Sequence, residues 1–511
     1  MLFEIQSSFG ISTVVFIAFV GSILSLVYYC TYQRVLSPLA KYPGPFWASL
    51  TDVWFATQRF QPQFHRELIR LHETYGPIVR VKPNKLMIAS PEAFKIIYSA
   101  GKKFTKGEVY IPLKGKRPFD LTGERDEHVH GQQRRLVSQA YTMETMKSLE
   151  PYVDTTIKVL LKKFEEISAD GQAVDFAYLI QLFAFDVIGE VTFAKRFGYL
   201  DALSDFNIFR TISAALFSAA WVGEVPWVYN LHQRLAPYIG NRLAVTARNG
   251  SLHDFAVQEM TARKDRAGAA DDHDGDILSK LLVAQRQKPQ LSEVDIGFML
   301  TTNVVAGSDT TSVSLCAIVY YLLTTPRALD RLMGELQEKV ASGEVDADGV
   351  VTQKVAESWP YLQAVILEGM RLHPALGSML SRVVPKEGLR FDDHYVPPGY
   401  EVGTSAWVIH RNSSIFGDDV ESFRPERWLD EKRKSEMHRY FFAFGGGSRT
   451  CIGKNISMLE MSKVIPTIFK HFELRLAPGK ERPQERYGPL IGLKPLHVVA
   501  RKRTDLEENS M

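Results

Sequence analysis

Residues 442–454, FAFGGGSRTCIGK, combine residue types whose spacing could do chemistry. Phe444, Gly447, Arg449, Cys451 and Gly453 fit F-x-x-G-x-R-x-C-x-G, which a chain of this length matches by chance on the order of once in 10⁴. A cysteine among glycines and ahead of a helix presents its sulfur to backbone N–H groups that stabilise a thiolate. The glycines let a flat macrocycle come close, and Arg449 supplies a fixed cation for a carboxylate. A phosphate-binding reading fails. Five residues, not four, separate Gly447 from Gly453-Lys454, and Asn455 stands where Ser or Thr should hold Mg²⁺. An inert buried cysteine in a glycine turn is the bland alternative.

The second signal is Ala306-Gly307-Ser308-Asp309-Thr310-Thr311, set inside a long apolar stretch. An acid and paired threonines are costly there unless partnered, and Gly307 gives up about 1 kcal/mol of helix propensity. An acid beside a hydroxyl in a dry wall is what proton delivery to bound oxygen requires. The alternative is a satisfied kink in which Thr310 bonds back to the carbonyl four residues earlier. The third signal, Glu368-x-x-Arg371, puts both side chains on one helix face. That spacing recurs at Glu67/Arg70, Glu387/Arg390, Glu421/Arg424 and Glu436/Arg439, so it is uninformative alone. Only Glu368/Arg371 precedes His373-Pro374, with Phe423-Arg424-Pro425-Glu426-Arg427-Trp428 some way beyond.

The elements that must carry these residues are mostly helices. Ser292-Glu-Val-Asp295 opens a helix with a capping-box pattern, and the run through FMLTTNVVAGSDTTSVSLCAIVYYLL is apolar on nearly every side, which suits the centre of a large fold. Pro151 to Ser168 and Pro360 to Leu372 are predicted helices, the latter stopped before Pro374. Strand-like segments lie near Ile78–Ala89, Leu380–Val384, Glu401–Ile409 and His497–Arg501. Residues 268–276, GAADDHDGD, do not fit a calcium loop and read as a solvated loop. The expected class is mainly α with small β-sheets.

Composition sets the outer bounds. Of 511 residues, 45% are hydrophobic and 23% charged, which excludes disordered, collagen-like and polytopic membrane classes. A net charge of +3 argues for no nucleic-acid partner. Three cysteines, with no CxxC and no HExxH, support neither a disulfide framework nor a zinc site. Residues 11–30 form an uncharged run long enough to cross a bilayer, and no second apolar run of that length is expected. Arg34 and Lys41 follow the run while only Glu4 precedes it, so the body is expected on the cytosolic side. The expected organisation is a lumenal N-terminus (1–10), a single transmembrane anchor (11–30), a linker with a Pro-Gly-Pro hinge (31–50), a catalytic body (51–505) and a tail (506–511).

Anchor, hinge, long helix, Glu-Arg helix and cysteine loop, in this order, resemble the microsomal cytochrome P-450 superfamily of haem-thiolate monooxygenases. The AGSDTTS string and LHPALGSMLSRVVPKEG are most similar to filamentous-fungal members, including the pisatin demethylase-like group. The resemblance implies the helical cytochrome P-450 fold, with haem iron held by Cys451 within the loop that contains Phe444 and Gly453. It makes Asp309 and Thr310 the distal acid–alcohol pair. Glu368, Arg371 and Arg427 become a buried structural triad. His130, Arg134, Arg382 and Arg449 become haem propionate contacts, with His130 where many members carry Trp. It implies dioxygen as co-substrate, an apolar small molecule as substrate, and NADPH reaching the enzyme only through a separate flavoprotein reductase of the endoplasmic reticulum membrane. No Gly-x-Gly-x-x-Gly of its own follows a strand in this chain. Arg135, Lys432, Arg433, Lys434, Arg439 and Lys454 are candidate docking cations. Ala306, Leu376, Met379, Leu380 and Leu490 are candidate substrate contacts, and the apolar segment from Phe209 to Tyr229 is a candidate roof or an ordinary piece of core. The rivals are a reductase-independent haem-thiolate isomerase or peroxide-using enzyme, and a non-catalytic haem-binding protein.

Overall fold

The computed structural model describes residues 2–101, 103–247, 250–267, 275–346, 349–488 and 490–503; most of the acidic segment 268–276 and all of the tail 506–511 lie outside them, while Asp276, the last residue of that segment, is buried as a helix cap paired with Arg263. Helices dominate, and the helix Glu293–Thr324 runs through the largest apolar cluster. Its start follows the capping box: Ser292 N donates to Asp295 Oδ2 at 3.0 Å and Asp295 N donates to Ser292 Oγ at 3.1 Å. Its many hydroxyls cost little, because Thr301, Thr302, Ser308, Thr310, Thr311 and Ser314 each donate to the carbonyl four residues earlier. Asn303 accepts from Tyr141 OH at 2.8 Å. Gly307 admits the neighbouring helix Phe176–Phe193, since a Cβ there would stand 2.8 Å from Ile188 Cδ1.

That neighbouring helix corrects one expectation. Phe176–Phe193 is 18 residues long and apolar enough to cross a bilayer by length and composition. It is 89% buried, packed on the central helix, so its hydrophobicity is spent on core. The N-terminal span is different: Thr13–Leu36 is long, apolar and not buried at all in the fold. It belongs to the helix Leu2–Thr31 and a short continuation to Leu36.

The Pro-Gly-Pro segment is a docked strap and not a loose joint. Arg80 N donates to Pro43 O at 2.7 Å, and a Cβ on Gly44 would collide with the Arg80 carbonyl oxygen. Arg80 in turn reaches back to the Gln33 carbonyl and side chain, both at 2.6 Å.

The largest sheet has five strands in the order Ile78–Lys82, Lys85–Ile88, Glu401–Gly403, Arg382–Val383 and Thr105–Lys106. The strand-like segment expected near Ile78–Ala89 is two antiparallel strands, the first two of the sheet, and the last pair is also antiparallel, with Lys106 opposite Arg382. The strand expected to reach Ile409 stops at Gly403; Ser405 Oγ then accepts from Trp407 N and caps a helical turn, Ala406–Ile409. A three-stranded sheet joins Val174–Asp175, His497–Lys502 and Phe472–Leu476. The predicted helix at 360–372 is found as Pro360–Leu372, and the one at 151–168 as Glu150–Ser168.

The turn between helices Ile208–Val222 and Pro226–Ile239 is pinned by charge. Glu224, 1% exposed, accepts from Arg59 and from Lys85 Nζ at 3.0 Å, while its carbonyl accepts from Lys82 Nζ at 2.8 Å. Lys85 also pairs with Glu401 at 2.9 Å. Burial alone would raise the Glu224 carboxyl, but Lys85, Arg59 and Lys82 outweigh it and hold it well below the usual range.

Candidate functional site

One cavity of about 1540 Å³, counting the part open to solvent, lies between the central helix and the cysteine loop. The loop is shaped by its own backbone. Gly447 has φ 62°, and a Cβ there would collide with the Tyr98 carbonyl oxygen, so this position requires glycine. Cys451 N donates to Phe444 O at 2.9 Å and closes the loop. The sulfur then faces the cavity at the entrance of the helix Lys454–His471. Burial pushes its thiol up, while the N–H groups of Gly453 and Lys454 and the Arg134 guanidinium favour the thiolate. Among the described residues no three His, Cys, Asp or Glu side chains converge as metal ligands. An iron porphyrin, which brings its own nitrogen ligands, needs only the one sulfur that this site offers.

The polar end of the cavity fits such a group. Lys106, Arg134, Arg382, Arg449 and His130 all line it. Arg449 is neutralised by Glu127, with Nη2 donating to Oε1 at 2.7 Å. The other three cations meet only carbonyl oxygens or rings among the described residues. Lys106 Nζ donates to Thr122 O at 2.6 Å, Arg134 Nη1 to Thr450 O at 2.7 Å and Arg382 Nη1 to Ser381 O at 3.0 Å. Lys106 and Arg382 even oppose each other in the sheet register, an arrangement that is unfavourable unless an anion lies between them. Burial pushes the Lys106 ammonium well below its usual range, and Arg449 and Arg382 add to this. Burial together with the surrounding cations pushes His130 down to about 3, so it faces the cavity as a neutral ring. A surplus of buried cations at one end and a single sulfur fit the two carboxylates of haem and the one ligand its iron would take from this chain.

The opposite wall comes from the central helix. Ala306, Gly307 and Thr310 face the cavity, as the i, i+1 and i+4 positions of one helical face allow. The Thr310 hydroxyl donates to Ala306 O at 2.9 Å, the local bond expected of a satisfied kink, and it still borders the cavity. Asp309 does not. It is 8% exposed, turned toward the Phe176–Phe193 helix, and its Oδ1 accepts from Gln181 Nε2 at 2.5 Å. Burial raises its carboxyl, with Lys494 and the Gln181 bond pulling the other way.

Behind the cysteine loop the triad is assembled. Arg371 Nε and Nη2 donate to Glu368 Oε2 and Oε1, each at 2.8 Å, and Arg427 Nε donates to Oε1 at 2.9 Å. Trp428 Nε1 and Arg424 N complete the cage at 2.9 and 3.1 Å. Burial alone would raise the Glu368 carboxyl, but Arg371 and Arg427 outweigh it and keep it below the ordinary range.

Of the substrate-contact candidates, Ala306, Leu376 and Leu380 line the cavity. Met379 is 4% exposed and packs with Phe55, Phe64, Trp407 and Ile491, away from that wall. Leu490 is half-buried and also off the wall, and no lining residue comes from the roof segment 209–229. Phe217 and Trp221 of that segment pack on Phe60 instead. Lys106, Gln181, Lys494 and Glu127 escaped the sequence reading. None sits in a motif, and each acquires its role only through the fold.

The profile of the family described as Cytochrome P-450 matches residues 41–499. The chain is similar to cytochrome P-450 monooxygenase hepC of Aspergillus oryzae, 44% identical over 88% of this chain and 90% of the relative. It is 35% identical to a pisatin demethylase of Fusarium vanettenii over 88% of this chain and 87% of that protein. It is also similar to cytochrome P-450 monooxygenase cicH of Emericella nidulans, at 33% identity over 88% of this chain and 91% of the relative.

Proposed function

The chain belongs to the cytochrome P-450 family and is a monooxygenase of its fungal branch, and from that premise we propose how its own residues serve the reaction. The enzyme inserts one oxygen atom of dioxygen into a mostly apolar small molecule of secondary metabolism or detoxification. Electrons come from NADPH through a separate flavoprotein reductase. The observation that carries this reading is that Cys451 and Thr310 border one cavity whose far end gathers three cations that have no carboxylate partner among the described residues. Haem bound there supplies redox chemistry and dioxygen activation through a thiolate-ligated iron. Cys451 holds the metal. Lys106, Arg134 and Arg382, with His130 and Arg449, would hold the propionates. Ala306, Leu376 and Leu380 keep water away and favour an apolar substrate. Thr310 Oγ1 borders the cavity and holds a proton there, and Asp309, one residue before it and held by Gln181, is the acid assigned behind it.

The test is uncoupling. Thr310→Ala keeps the haem spectrum but lowers product formed per NADPH by roughly tenfold, the low end of what a positioned proton donor contributes, with peroxide released in its place. Full coupling in that variant, or turnover of substrate without NADPH and reductase, overturns the reading.

The anchor helix supports a single-pass protein of the endoplasmic reticulum membrane with its catalytic body in the cytosol. A cationic face then meets the reductase. Arg135 is exposed one residue beyond Arg134, and Lys454 is exposed three residues beyond Cys451, so both flank the cysteine loop. Charge reversal at both positions is expected to slow the first reduction by about tenfold at low salt, with the difference shrinking as salt rises. Stopped-flow reduction across ionic strength reads this directly, and equal rates at low salt would remove these residues from the docking face.

A further inference from the structure

Asp309 follows the cavity wall in sequence but is held from behind. Gln181 Nε2 donates to its Oδ1 at 2.5 Å, and Gln181 Oε1 accepts from Lys494 Nζ. Gln181 is 5% exposed, while Lys494 is half-buried. The chemistry of this chain of groups has a direction. An ammonium has three donors and no acceptor. Only the amide oxygen of Gln181 can therefore face Lys494, which leaves the amide NH₂ for Asp309. A carboxyl oxygen that receives an N–H cannot also present a hydrogen to it. When Asp309 is protonated, the hydrogen is favoured on Oδ2, because a hydroxyl oxygen accepts an N–H more weakly than a carbonyl oxygen does, and Oδ2 makes no hydrogen bond among the described residues. With Gln181 reversed, its oxygen would face Oδ1, and the acid would turn its hydrogen backward into that bond.

We propose that Lys494 and Gln181 are positioning residues that fix which oxygen of Asp309 carries the proton, keeping a transferable hydrogen on Oδ2. This rests on the reading of Asp309 as the acid behind Thr310. The neighbouring titratable groups do not compete for Lys494. Asp175 caps its own helix through Tyr178 N at 3.3 Å, and burial pushes the Cys316 thiol up to about 12. The amide of Gln181 passes no proton itself; it sets the orientation of the group that does.

The experiment uses the haem-loaded full chain and reads the carboxyl C=O band by infrared spectroscopy over a pH series, with Asp309→Asn identifying the band. Lys494→Met frees Gln181 to reverse, so the band moves and product per NADPH falls several-fold while the haem spectrum is kept. Lys494→Arg, again with donors only, restores both. Gln181→Leu moves the band and uncouples in the same way. An unmoved band with unchanged coupling in Lys494→Met overturns the proposal, as does the absence of any Asp309 band at every pH where haem stays bound. If instead Asp309→Asn and Thr310→Ala remain fully coupled, the acid–alcohol reading fails, and the band shift in Lys494→Met still decides whether Lys494 orients the amide.

Discussion

Cys451→Ser is expected to abolish monooxygenase turnover and to remove the strongly red-shifted Soret band of the reduced, carbon monoxide-treated protein. Serine fits the space, and the N–H groups of Gly453 and Lys454 remain to greet it. What is lost is a soft, easily ionised ligand: burial already works against the thiolate, and an alcohol starts from a far higher pKa. The oxygen therefore stays protonated and gives iron neither charge nor electron density. The other cysteines offer no rescue. Cys316 is buried in the central helix with its thiol pushed up to about 12, and Cys30 closes the anchor helix. Retention of the red-shifted band in Cys451→Ser would mean that the thiolate lies elsewhere and that the cavity described above has another use. Haem content, read separately, is expected to fall less than turnover, because Lys106, Arg134 and Arg382 still hold the other end of the group.

The parts of this site that were legible in the sequence are those written within one loop or one helical turn. The cysteine loop is local, so its glycines, arginine and sulfur could be weighed together before any fold was known. Glu368 and Arg371 share a helix face for the same reason. Lys106 was illegible because its meaning lies in sheet register: it faces Arg382 across a strand pair whose members are far apart in the chain. Met379 fails as a wall residue because this stretch has no regular period to read from sequence: Leu376 and Leu380 reach the cavity, while Met379 turns to the cluster around Trp407. Asp309 shows the limit of motif reading. Adjacent positions on a helix diverge by about 100°, so the neighbour of a cavity threonine need not see the cavity. Composition was similarly ambiguous for Phe176–Phe193, where a run apolar enough for lipid is packed against the central helix.

Glu368→Gln tests the other large effect, on stability and not on chemistry. The glutamine is nearly isosteric and can still accept from one arginine, so packing is not the issue. Charge is: Arg371 and Arg427 are buried, and Glu368 is the carboxylate they share. Removing one partner from a buried ionic group typically costs about 3–5 kcal/mol, because the remaining charge stays desolvated. Arg371 also holds the His410 and Val420 carbonyls at 3.0 and 2.7 Å, and Arg427 reaches Asp419 at 3.1 Å. Disturbing the pair therefore loosens the segments that lead into the cysteine loop. In a chain this large, unfolding is best read as a rate, and Glu368→Gln is expected to lose haem and unfold much faster on heating than the wild type. The pH dependence separates this from a packing defect. The folded Glu368 carboxyl lies below its ordinary value, so its stabilisation is complete above that ordinary value and is lost as pH falls through the lower folded one. The gap between wild type and Glu368→Gln should therefore be widest near neutral pH and narrow in acid. A gap that stays constant down the acid limb would assign the cost to geometry and remove charge from the account of the triad.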